Sequence, residues 1–190
     1  MRSRSAIVIT GLVAGVLATS TPATAAPLDK GRFHDVATNF FDCDGTPVRE
    51  DVDVSGSFLF NQRGSQHPFP YFRDSVHGTI AWTNLNTGGT FSQIFTANGR
   101  DHSIVDNGDG TITITVFVSG GARYYDQNGK LVLKDPGQFR FAFELDYNGT
   151  PGNPDDDEEV PDSFRVVRDS TGRNDSEGRD FCADVVEFTT

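Results

Sequence analysis

The sequence predicts an all-β fold: an antiparallel meander that curls into an up-and-down β-barrel of about 8–10 strands, with a two-sheet β-sandwich as the alternative. Three observations predict it. Between Thr111 and Tyr147 the apolar residues fall at every second position, first Ile112, Ile114, Val116 and Val118, then Phe139, Phe141, Phe143, Leu145 and Tyr147. That is the period of a strand with one face dry and one face wet. Turn dipeptides such as Asn128-Gly129 separate the alternating runs, as hairpins require. No heptad and no long amphipathic helix interrupts the pattern.

Taken in order, residues 1–25 read as a secretory signal. Arg2 and Arg4 supply the positive start, Ala6 to Ala18 the apolar run, and Ala23-Thr24-Ala25 the small-residue cleavage site. The apolar run is shorter than the roughly 20 residues a spanning helix needs. One domain, residues 26–190, is expected to remain. Ala26 to Arg32 reads as a loose leader. Phe33 to Asp42 reads as an irregular first strand, and Asp44-Gly45 as a turn. Val48 to Phe60 follows, with Val52, Val54, Phe58 and Phe60 on the face that also carries Gly56. Asn61 to Pro70 is read as a loop.

Tyr71 to Thr83 places Phe72, Val76, Ile80 and Trp82 on one face with Asp74 and Gly78. Phe91, Gln93 and Phe95 align on the next strand, with a hairpin expected at Asn98-Gly99. Gly120-Gly121 and Pro136-Gly137 are likewise read as turns. An acidic loop, Asn148 to Asp162, precedes a short strand at Ser163 to Arg168. Phe181 to Phe188 is read as the last strand. The count is about nine to eleven strand segments. A meander of that length must curl to hide its edges. The sixteen phenylalanines would then fill the interior or line an apolar cavity.

Charge narrows the partners. The chain carries 27 acidic and 16 basic residues, a formal charge of −11. Loss of Arg2 and Arg4 with the signal makes it −13. Such a domain repels phosphate backbones and anionic lipid, so neither nucleic acid nor a membrane surface is an expected partner. The two cysteines, Cys43 and Cys182, are expected to form a disulfide in an exported chain. With no neighbouring histidine or cysteine they do not suggest zinc.

The middle of the chain resembles a group of exported actinobacterial proteins of uncharacterised function. The resemblance rests on the signal, on Asn84-Leu85-Asn86-Thr87-Gly88-Gly89-Thr90 after the Trp82 strand, on Asp106 to Ile114, and on Gly129 to Leu133. It implies a small β-barrel broadly similar to lipocalin or allene oxide cyclase barrels. It implies no catalytic residues.

No chemistry-bearing motif stands out. Ser75 and His77 share a face with Tyr71 and Arg73, but no nucleophile elbow surrounds Ser75. Asp74 stands on the apolar face, where burial would raise its pKa unless it is paired. His34, His67, His77 and His102 show no ligand spacing, and no metal site or cofactor is read from the sequence. The acidic loops at Asp106 to Gly110 and Asp155 to Asp162 offer oxygens, but neither fits the twelve-residue calcium-loop pattern. Asn148-Gly149-Thr150 and Asn174-Asp175-Ser176 match the glycosylation sequon. The expectation is therefore a secreted, non-enzymatic barrel holding a small apolar ligand, with Asp74, Trp82, Gln93 and Tyr147 as candidate ligand-binding residues. The alternatives are an isomerase or cyclase acting on an apolar substrate inside the barrel, with Asp74 as its acid or base, and a filled structural barrel without a pocket.

Overall fold

A computed structural model describes residues 28–62 and 68–190. The expected signal at residues 1–25, the cleavage point after Ala25 and His67 lie outside the described residues. Six long strands follow one another: β1 (Asp29–Cys43), β2 (Thr46–Gln62), β3 (Pro70–Asn84), β4 (Thr90–Asp106), β5 (Thr111–Tyr125) and β6 (Leu131–Asp146). Each pairs antiparallel with its neighbour, as the meander requires. Two short strands, β7 (Glu158–Glu159) and β8 (Arg165–Thr171), both pair with β6, and helix α1 (Phe181–Phe188) ends the chain.

The alternation assigns the faces correctly. Paired residues of an antiparallel sheet share a face. The register Val52–Ile80–Gln93 therefore places expected dry side chains together, and Tyr124 and Leu133 continue the row. The barrel is not formed. Among the described residues β1 pairs with β2 alone, and the sheet ends at β7 and β8 without meeting β1. The physical reason is strand supply. About eight strands are needed to close around an interior filled by side chains. Among the described residues only six are full length, while β8 has 7 residues and a broken register on β6.

The strands are longer and fewer than the turn dipeptides suggest. Asn98-Gly99, Gly120-Gly121 and Pro136-Gly137 all lie inside strands, not at turns. Glycines on the apolar face accommodate neighbours. The ring of Phe58 stands where a Cβ on Gly31 would be, and Phe33 does the same over Gly56. A Cβ on Gly120 would fall 2.1 Å from the Thr96 carbonyl oxygen, so β4 and β5 approach too closely there for any side chain. Asn128-Gly129 does turn the chain, with Gly129 at φ 73° and its amide donating to Asp126 O at 2.9 Å.

The dry side chains gather at the two ends of the sheet. At one end Val48, Trp82, Phe91 and Leu133 pack with Cys43 and with Val185 of α1. At the other, Phe69, Ile112 and Ile114 pack with Ile104, Val116, Phe143, Leu145 and Tyr147. Phe181 to Phe188 forms a helix and not the expected strand. Asp180 caps it, accepting from Ala183 N at 2.8 Å, and Cys182, Val185 and Thr189 recur at helical spacing. So short an apolar run carries no clear period of its own. The Cys43–Cys182 disulfide is present, with Cα atoms 5.0 Å apart, and fastens α1 to the end of β1. Asn84 Nδ2 donates to Thr189 Oγ1 at 3.1 Å and Thr87 Oγ1 to Thr189 O at 2.9 Å, bolting the helix end to the β3–β4 turn.

Candidate functional site

At the end away from the disulfide the dry face opens into a pocket of about 300 Å³. Its wall is built by alternation. Ile112, Ile114 and Val116 come from β5, and Phe143 and Leu145 from β6. Phe60 and Phe72 face each other from β2 and β3 with ring centroids 4.8 Å apart. Pro70 and Pro154 complete the apolar lining. A β-bulge at His102 shifts the phase of β4, so that Ile104, rather than its odd-numbered neighbours, pairs with Ile114. Bulges re-aim side chains in this way.

Two carboxylates stand in this wall. Asp101 is buried at 6% exposure, and its Oδ2 accepts from Phe72 N at 2.8 Å. That bond answers part of the cost of burying a charged group. Asp157 is half-buried. Desolvation raises its pKa above the ordinary 3.8, and the nearby charges of Asp156 and Asp146 push the same way. A mostly apolar pocket with a few placed polar groups is the usual form of a small-molecule site.

The four residues singled out from the sequence are not brought together. Asp74 stands in the middle of the dry face, half-buried, and its Oδ1 accepts from Gly99 N at 2.8 Å. Trp82 is buried at the disulfide end, its Nε1 donating to Glu50 Oε1 at 2.9 Å, with its ring 5.0 Å from Phe181. Gln93 donates through Nε2 to Tyr124 Oη at 3.2 Å, also near that end. Tyr147 alone lies beside the pocket, edge-on to Phe69 at 5.2 Å. Asp101 and Asp157 were missed. The signal for Asp101 was present, since it continues the series Phe91, Gln93, Phe95, Ala97, Gly99. Reading Asn98-Gly99 as a turn cut that series short.

The other constellations resolve as local structure. Asp106 Oδ1 accepts from Gly108 N at 2.9 Å, and Asp109 Oδ1 from Thr111 Oγ1 at 2.7 Å, which fixes the β4–β5 turn. The Thr111 hydroxyl and amide hold the Asp109 carboxyl below its ordinary pKa. In the second acidic loop, Thr150 Oγ1 donates to Asp156 Oδ2 at 2.7 Å. Ser75 and His77 lie on the exposed face with no hydrogen bond between them among those described. Among the described residues no three His, Cys, Asp or Glu side chains converge as a metal site.

The fold and pocket define a class: an antiparallel β-meander, not closed into a barrel, with a disulfide-fastened helix at one end and an apolar pocket at the other. No helix among the described residues is long and apolar enough to cross a membrane. No protein-family model matches the chain, and neither the curated proteins nor the solved structures contain a match.

Proposed function

We propose that the chain is an exported, non-enzymatic protein that holds a small apolar ligand in the pocket between β2, β3, β5 and β6. The observation that carries this reading is the lining: nine of its side chains are apolar and two are carboxylates. The disulfide and the lack of a spanning helix fit export, as do the signal-like residues 1–25 and the resemblance to exported actinobacterial β-proteins. A volume of about 300 Å³ suits a ligand at the small end of the usual range.

Titration with a neutral naphthylamine fluorophore tests it. The expected result is saturable binding to the native protein, lost in Ile114→Phe and Val116→Phe, which fill the pocket, and kept in Ile94→Ala, on the opposite face. Non-saturable binding, or equal binding by the filled variants, overturns the reading. A second reading, an isomerase or cyclase, draws on Asp101, which stands in the pocket wall, whereas Asp74 does not line the pocket. It requires that a bound polyunsaturated substrate return with its double bonds moved or a ring formed. Recovery of that substrate unchanged by wild type removes it.

A further inference from the structure

The opposite face of the sheet carries a feature independent of the pocket. Lys30, Leu59, Arg73, Arg100, Phe117, Arg140 and Arg168 form one unbroken row of directly paired residues across seven strands. The parallel row two residues along begins at Arg32 and continues through Ser57, Ser75, Asn98, Ser119 and Gln138. No acidic side chain stands in either row, although the whole chain is strongly acidic. None of the six cations makes an ion pair among the described residues; those pairs lie elsewhere.

The arrangement costs stability as it stands. Arg73 lies directly opposite Arg100, and Arg140 directly opposite Arg168. Like charges so placed repel. The guanidinium groups of Arg100 and Arg140 lie 5.1 Å and 5.7 Å from the centroid of Phe117, which orders both on one ring. Between the two rows, over β1 to β4, runs a groove of about 720 Å³ bounded by Lys30, Arg32, Arg73 and Arg100. The row crosses six strand intervals, about 29 Å, while the two rows stand only about 7 Å apart.

We propose that this strip binds a linear anionic polysaccharide, its sulfate or carboxylate groups seated on the paired arginines. The guanidinium fork matches such oxyanions, and the hydroxyls and amides of the second row suit sugar hydroxyls. Width argues against a flat membrane or a duplex, which would overlap Asp53 and Glu144 on the same face on either side of the strip. A single nucleic-acid strand needs open aromatic platforms for its bases, and Phe117 is already covered by two arginines.

The test uses the full chain with heparin and polygalacturonate as probes, and dextran, oligothymidylate and phosphatidylglycerol vesicles as comparisons. The expected result is binding to at least one anionic glycan, weakening about 100-fold between 50 and 200 mM salt if counterion release acts as it does for other flexible polyanions. Dextran should not bind, and the glycan should raise the unfolding temperature by relieving the arginine pairs. Arg73→Glu with Arg100→Glu should weaken binding at least about tenfold, while Arg73→Lys with Arg100→Lys retains most of it. Arg123→Glu with Lys130→Glu, which changes net charge equally off the strip, should leave affinity within about twofold. Circular dichroism confirms that each variant is folded, and the salt and dextran measurements on wild type stand without any variant. No glycan binding, equal loss in both glutamate pairs, or tighter binding to oligothymidylate or vesicles overturns the proposal.

Discussion

Opening the Cys43–Cys182 bond should lower stability sharply while leaving helix α1 in place. The bond spans a sequence separation of 139 residues. For a loop of that length the chain-entropy relation gives about 5 kcal/mol, acting through the unfolded chain. In the folded state α1 has other attachments. Val185 and Thr189 are fully buried, and Thr189 is held by Asn84 and Thr87. Trp82, the only tryptophan, reports on the docking because its ring lies 5.0 Å from Phe181. Urea unfolding of Cys43→Ala/Cys182→Ala, followed by Trp82 emission, should therefore show a midpoint lower by about 2 M, from slopes of about 1–3 kcal/mol/M. Its folded baseline should keep the blue emission of wild type. A midpoint within about 0.5 M of wild type would refute the loop argument. A red-shifted folded baseline would refute the claim that packing holds the helix.

Other outcomes follow from single positions. Gly120→Ala should cost at least about 2–3 kcal/mol in urea unfolding, because its Cβ would meet the backbone at Thr96 rather than a movable side chain. Asp157 has a raised pKa in the fold, so the folded state holds its proton more tightly than the unfolded chain does, and its contribution worsens as pH rises through the ordinary carboxylate range. Asp157→Asn should thus gain stability over wild type at pH 7, with the gain shrinking as pH falls below about 4; a gap independent of pH would count against it. The Tyr124 phenol is raised above its ordinary 10.0, chiefly by burial and then by the Asp135 charge. Ultraviolet titration should show a tyrosine step above the ordinary 10.0, with its stabilising contribution present below pH 10 and lost as pH rises further; Tyr124→Phe should remove that late step.

Much of the sheet was legible because alternation is a one-dimensional code. Ile112 to Val118, Phe139 to Leu145, Phe58 and Phe60, and Phe72 to Trp82 all share the face their spacing assigned. Closure was not legible, since it depends on how many strands reach full length, and the glycine pairs concealed that. Gly120-Gly121 carries the composition of a hairpin but serves a close approach between neighbouring strands, a fact visible only once Thr96 is seen beside it. The α1 segment failed for the reason short apolar runs do: eight residues whose buried positions are Asp184 and Val185 are too few to fix a period. Asp101 was hidden by reading Asn98-Gly99 as a turn, and the cationic row by register. Its members are scattered from Lys30 to Arg168 and become neighbours only when six strand pairings are known.

Both proposed surfaces depend on that register, and so on strands that run unbroken through their glycines. Amide hydrogen exchange measured residue by residue tests this most directly. β4 and β5 are interior strands, so the amides of Gly99, Gly120 and Gly121 should exchange at least about 100-fold more slowly than those of Gly108 and Gly129 in the turns. Exchange at Gly99 and Gly120 as fast as at Gly108 and Gly129 would place turns where continuous strands are described, and neither the apolar pocket nor the arginine row would survive.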